Sequence, residues 1–258
     1  MGKLRGKFLI GKIRDLIFKE VRGVQLVTSK VEPGTMKQTA ATKIAAGTFA
    51  LASKMSGNFR DAMRDELRVA NDGTIHFRLT KALLTILTQC RDKASKNYSF
   101  NDDSFNGLVD FNFNTSMLLA HKLPGKLKTV LDNGLLHVAY ADNQPSRNLR
   151  FIKGSTACKV TFGIVLIRLS NSQVGRDYVL QSVMVKKSAP ELKDLAFSFE
   201  VPNDCLYLLT ATLNYYKGSV PVMDTKLNSG AIYDAVIVQG EYGESRKFRW
   251  LENELVFK

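Results

Sequence analysis

From about Asn101 onward the apolar residues of this chain stop recurring at helical spacing and begin to alternate, and that change of period constrains the fold more than any other feature. Before it, Ile75, Leu79, Ala82, Leu83, Ile86, Leu87 and Cys90 fall at i, i+4, i+7, i+8, i+11, i+12 and i+15, a continuous stripe along one helix. Arg78, Lys81, Arg91 and Lys93 stand off that stripe. After it, 108–113, 126–131, 135–140, 157–169, 178–185, 195–201, 206–216, 232–238 and 248–257 read as β-runs, separated by turn residues such as Asp132-Asn133-Gly134. Helices followed by a series of strands predict an α+β fold. The strand rhythm predicts an antiparallel β-sandwich, Ig-like or jelly-roll-like, over 101–258. Residues 1–100 are then a basic N-terminal hairpin and helical region.

Within those first hundred residues, 16–21 and 24–28 are β-prone runs joined by Arg22-Gly23, the pattern of a hairpin, with a short amphipathic helix over 12–21 as the competing reading. Pro33-Gly34 breaks the chain, and Thr35 with Gln38 forms a capping box ahead of an Ala-rich helix expected over 36–55. Gly57 is expected to close that helix, Asn58 to cap a short one through Leu67, and Asn71-Asp72-Gly73-Thr74 to turn before the striped helix.

Charge divides as the periodicity does. Residues 1–100 hold 19 Lys and Arg against 8 Asp and Glu, while 101–258 hold 18 against 16, so +11 of the +13 net charge lies in front. Lys3, Arg5, Lys7, Lys12, Arg14, Lys19, Arg22 and Lys30 face only Asp15 and Glu20 within the first thirty residues. Such a run attracts polyanions, and the sparse aromatics, Phe8 and Phe18, suit phosphate neutralisation better than base stacking. A solvated basic face, or one that docks on an acidic patch of another copy, is the competing reading.

Residue types that carry catalysis are scattered. Gly6 to Lys12 matches the opening of a phosphate-binding loop, but Ile13 stands where Ser or Thr would hold magnesium. His76, His121 and His137 sit in no GxSxG, HExxH or HxH pattern. Asp102-Asp103 suits a turn, and Glu252 with Glu254 a solvated strand end. Cys90, Cys158 and Cys205 are isolated among apolar neighbours and read as reduced core thiols. Tyr207, Tyr215, Tyr216, Tyr233, Tyr242 and Trp250 follow strand spacing, which favours packing over a sugar-binding patch. No catalytic residue, cofactor, metal or small-molecule substrate is expected. Phe8 to Ile10 is too short an apolar run for a signal peptide, and no stretch approaches the ~20 apolar residues of a membrane span. Synthesis in the cytoplasm is the expectation, with release inside a particle as its extension.

Gly11-Lys12-Ile13, then Leu16-Ile17-Phe18, the Arg22-Gly23 turn, Pro33, the Ala/Lys helix, Asn58-Phe59-Arg60 and Asp72-Gly73 before Arg78-Leu79-Thr80 resemble a group of uncharacterised bacterial proteins. That domain of unknown function opens with a GK(I/V)G-type signature and continues into β-sandwich modules. The likeness lies mostly in the first hundred residues, with Leu123-Pro124-Gly125 resembling the first sandwich segment loosely, and Arg14 stands where the group has Gly. The resemblance implies a fold and carries over no catalytic residue.

These observations predict a structural, self-assembling subunit without catalysis, forming a homo-oligomeric particle or filament that is phage-like, capsid-like or fibre-like. A hairpin this small is not stable alone and must find a sheet or partner. The expected contact residues, for assembly or for a polyanion, are Lys3, Arg5, Lys7, Lys12, Arg14, Lys19, Arg22, Phe18, Val24 and Leu26. The alternative is a nucleic-acid-associated protein that binds the phosphate backbone, or an acidic protein surface, through the same basic region.

Overall fold

The computed structural model describes residues 2–30, 39–123, 126–141, 149–170, 173–175, 179–190, 195–241, 250–252 and 257. The chain is α+β and separates into two compact units, Met1–Ala46 and Gly47–Lys258.

In the first unit, β1 (Lys3–Arg5), β2 (Phe8–Ile13), β3 (Leu16–Val21) and β4 (Val24–Ser29) form an antiparallel meander in sequence order. The expected hairpin is its second half: Val21 pairs with Val24, and Arg22 and Gly23 take φ of 53° and 77°. Both turn residues therefore lie in the left-handed region, as a type I′ turn requires, and the right-handed twist of the flanking strands favours that turn. The Thr35 and Gln38 capping box lies outside the described residues. The helix α1 (Ala40–Ala62) follows Thr39, whose Oγ1 accepts from the Thr42 N–H at 3.2 Å.

In α1, Gly57 is an interior residue and not the terminator that the sequence suggests. Ala52, Met55 and Phe59, all fully buried, hold the helix to the core on both sides of it, and that packing outweighs a glycine cost of about 1 kcal/mol. The expected short helix through Leu67 is thus divided between the end of α1 and α2 (Arg64–Val69). The striped helix is α3 (Ile75–Gln89), and Ile75, Leu79, Leu83, Ile86 and Leu87 are its buried residues. A 3₁₀ turn at Asn106–Leu108 and the short α4 (Leu119–Lys122) precede the strands.

The strands of the second unit are β5 (Lys126–Asp132), β6 (Leu135–Ala141), β7 (Ala157–Ile167), β8 (Gln173–Gly175), β9 (Val179–Lys186), β10 (Ala196–Glu200), β11 (Cys205–Lys217), β12 (Val220–Pro221), β13 (Ser229–Val238) and β14 (Trp250–Glu252). They make a three-stranded sheet, β10-β6-β5, and a larger one built on the antiparallel pair β7 and β11. β13 and β12 pair with β11, whereas β9 and β8 pair with β7, and β14 extends β8. One face of the large sheet, with Val160, Phe162, Leu209, Leu213 and Tyr215, shares a core with Leu136, Val138 and Phe199 of the small sheet. The other face, with Val165, Ile167, Leu206 and Leu208, shares a core with Met55, Phe59, Leu79 and Leu83 of the helices. Every residue of β11 from Cys205 to Leu213 is buried, because both of its faces are covered.

The run 108–113, expected as a strand, is irregular because Asp110 takes φ of 62°. It still binds the β13 edge: Asp110 N–H donates to the Ile232 carbonyl at 2.9 Å, Ile232 N–H to Phe111 at 3.1 Å, and Phe113 N–H to Gly230 at 2.7 Å. Arg78 fastens this segment to the helices. Its guanidinium donates to the Asn112 carbonyl at 2.7 Å, the Phe113 carbonyl at 3.0 Å and Asp72 Oδ2 at 2.9 Å, over the Phe111 ring. Asp72 also accepts from the N–H and hydroxyl of Thr74 and of Thr115. Burial pushes the Asp72 carboxyl up, but these donors outweigh it and hold the group well below the usual carboxylate range.

Three outcomes follow. A Cβ at position 230 would lie 2.6 Å from Phe113 Cδ2, 2.8 Å from Thr212 Cγ2 and 3.2 Å from the Ala211 carbonyl. Gly230→Ala therefore costs about 1–3 kcal/mol, read as a lower urea midpoint at unchanged slope. Gly57→Ala, whose Cβ would meet only Arg60 Nη2 at 3.9 Å, gains about 0.5–1 kcal/mol in the same titration. Asp72 titrates lower folded than unfolded, so its contribution is complete above the unfolded carboxylate pKa of about 3.9 and is lost as the pH falls below it. Denaturation of Asp72→Asn between pH 6 and 2 should show a shallower acid loss than the native chain.

Candidate functional site

Cross-strand register sorts the meander's side chains, since residues directly opposite in an antiparallel pair share a face. Lys3 pairs with Ile10, Arg5 with Phe8, Lys12 with Ile17, and Lys19 with Leu26. Val21 and Val24 lie on that same side. Leu4 pairs with Leu9, Ile13 with Leu16, and Phe18 with Val27, and these occupy the other side together with Glu20 and Gln25. All four cations borne on strands thus share one face, and the opposite face carries no cation.

The remaining cations stand on the two-residue turns. Lys7 follows Gly6 between β1 and β2, with Nζ 5.3 Å from the centre of the Phe8 ring. Arg14 and Arg22 each open a turn with φ of 51° and 53°. A non-glycine residue held in that region costs about 1–2 kcal/mol, so both turns carry an arginine at a position where glycine would fit more cheaply. Of the contact residues expected from sequence, Lys3, Arg5, Lys12, Lys19, Val24 and Leu26 are brought to one face, Lys7, Arg14 and Arg22 to the turns, and Phe18 to the cation-free face. All seven cations are exposed, and among the described residues none of them forms an ion pair with an acidic side chain.

No described residue of β1 to β4 is buried. Leu4 is 76% exposed, Val24 62%, Val27 48% and Ile13 43%. Gln25 adds to the ladder that holds the meander: its side-chain amide accepts from the Leu9 N–H at 2.8 Å and donates to the Leu9 carbonyl at 2.9 Å and the Lys19 carbonyl at 3.1 Å. The sequence signal for β1 and β2 is the spacing of the turns: positions 6, 14 and 22 recur every eight residues, six for a strand and two for a turn.

Elsewhere the chemistry-bearing residues lie on separate elements. Gly6 to Lys12 is a hairpin turn and strand, without the helix that a phosphate-binding loop must open. The His76 ring lies tilted against that of Phe77, with centroids 3.7 Å apart, and His121 lies exposed in α4. His137 Nδ1 lies 2.9 Å from Ser198 Oγ across β6 and β10, on an exposed sheet face; the two are 61 residues apart, so their pairing is invisible in the sequence. Burial pushes the thiols of Cys158 and Cys205 up to about 12, the latter against a lowering by Arg168, and raises Cys90, which keeps all three protonated near neutrality. Tyr207 donates to Asp234, Tyr215 to the Arg150 carbonyl, and Trp250 lies against the buried Arg168 guanidinium. Tyr242 and Glu254 lie outside the described residues. Among the described residues no group of three or more His, Cys, Asp or Glu could hold a metal ion, and no helix is long and apolar enough to cross a membrane.

No protein-family model matches the chain, and no curated protein matches it.

The two turns make a direct test of local strain. Arg14→Gly and Arg22→Gly should each leave stability unchanged or raise it by up to about 1 kcal/mol; a fall in the thermal midpoint of the purified chain would instead give the arginine side chains a packing role.

Proposed function

We propose that this chain is a structural subunit that associates with copies of itself through its N-terminal four-stranded sheet, as in a phage-like, capsid-like or fibre-like assembly. In this reading the second unit is a β-sandwich body of Ig-like or jelly-roll-like type, its small and large sheets packed face to face. The observation that carries the proposal is the absence of any buried residue among the described strands β1 to β4. A sheet of this size without a covered apolar face is marginal in water, and apolar side chains such as Leu4 and Val24 at 76% and 62% exposure gain by finding a partner.

Light scattering coupled to size-exclusion chromatography tests this. The full chain should elute as an oligomer whose mass rises with concentration, and deletion of residues 1–32 should leave a monomer that keeps the cooperative unfolding of the second unit. A full chain that stays monomeric at high concentration overturns the proposal.

The clustering of Lys3, Arg5, Lys12 and Lys19 on one face supports a second reading, contact with a polyanion such as nucleic acid. If those four residues neutralise four phosphates, the logarithm of duplex affinity should fall against the logarithm of salt with a slope of about −4. Charge reversal at the four positions should abolish binding between 50 and 200 mM salt, where the assembly reading alone expects no binding to lose.

A further inference from the structure

The two edges of the meander differ in kind. β1 is three residues long and holds Lys3 and Arg5. β4 is six residues long, Val24-Gln25-Leu26-Val27-Thr28-Ser29, with no charge, no proline and no bulge in its register with β3. An uncharged, regular edge is the kind that adds another strand, and edges that must stay apart carry lysine, proline or a bulge instead. Among the described residues no strand occupies the outer side of β4.

We infer that β4 pairs antiparallel with β4 of a second copy of this chain, about a two-fold axis at Val27, so that two meanders join into one eight-stranded sheet. The inference rests on the self-association proposed above and names its contact. Lys30 N–H donates to the Asp15 carbonyl at 2.5 Å, which places the backbone groups of position 30 toward β3. The alternation of an antiparallel ladder then turns 28, 26 and 24 toward β3 and aims the N–H and C=O of Gln25, Val27 and Ser29 outward. An axis at Val27 uses all three: Gln25 meets Ser29 of the second copy, Val27 its own image, and Ser29 the other Gln25. An axis at Leu26 would leave Ser29 unmatched.

Charge selects the second copy as the occupant. Two-fold pairing sets each residue against one at equal distance from the axis, so β1 centred on Leu4 would set Lys3 against Arg5 twice. β4 sets only neutral side chains against one another. The two-fold stands perpendicular to the sheet, so the cation-free faces of both copies, with Leu9, Ile13, Leu16, Phe18 and Val27 beside Glu20, Gln25 and Ser29, run on as a single surface without a cation.

The test uses the full chain as Val27→Lys and Val27→Glu. Each variant alone sets like charges across the axis and should weaken association at least about fivefold in sedimentation equilibrium, while an equimolar mixture should recover it. Recovery on mixing also shows that both variants fold. Variants that associate as the native chain does, or a mixture that stays apart, overturn the pairing and leave self-association by another surface standing. A native chain that is monomeric throughout overturns both. Hydrogen exchange on the native chain gives an independent readout: the amides of Gln25, Val27 and Ser29 should slow as concentration rises, and unchanged rates overturn the pairing.

Discussion

The antiparallel pairing of β7 with β11 is the constraint on which the second unit depends. Eleven consecutive register pairs run from Leu206 opposite Ile167 to Tyr216 opposite Ala157, and they give a ribbon with two apolar faces. Its alternation sends Leu209 and Leu213 to the core shared with the small sheet and Leu206 and Leu208 to the core shared with the helices. A slip of one residue would exchange those sets and present each layer with side chains shaped for the other. Burial on both sides fixes the register more firmly than either hydrogen bonding or strand propensity could.

Irregularities in the unit can be read as accommodations to that ribbon. The bulge between Leu209 and Thr210 skips Tyr233 on β13, so that Ile232 and Ala235 both reach the helical side. Gly230 lets Phe113 approach the sheet more closely than any side chain would allow. Arg78 and Asp72 then lock the segment that brings Phe113 there, with a charged pair whose remaining valences are met by backbone carbonyls and by two threonines. A polar group so near the core is tolerable only because its partners are complete.

The N-terminal unit follows the opposite economy. Its strands are short, its turns tight, and its ladder regular, yet none of its described residues is buried. Local rules suffice to form a meander and do not suffice to keep one stable, because the apolar side chains that strand propensity selects have no layer to cover them within it. Segregation of cations to one face gives the two sides different chemistry, and an edge with no charge differs again from one with two. Those three contrasts, of face, edge and burial, are what the proposed association rests on.

Much of this was legible from residue order. The 3.6-residue stripe from Ile75 to Leu87, the Asn71 to Thr74 turn, the hairpin at Arg22-Gly23 and most strand positions follow from periodicity and turn chemistry, which act over fewer than ten residues. Gly57 misled because a local helix breaker competes with burial of Met55 and Phe59, and burial is decided by residues far along the chain. Residues 108–113 misled for the converse reason, an alternating pattern interrupted by one left-handed backbone at Asp110. Only tertiary structure could decide that β7 and β11 lie side by side, that Arg78 reaches Asn112 and Phe113, that Ser198 meets His137, and that four scattered cations share a face. Each of these depends on pairing between segments distant in sequence, and such pairing is set by the packing of whole layers, for which a single run of residues holds no local signal.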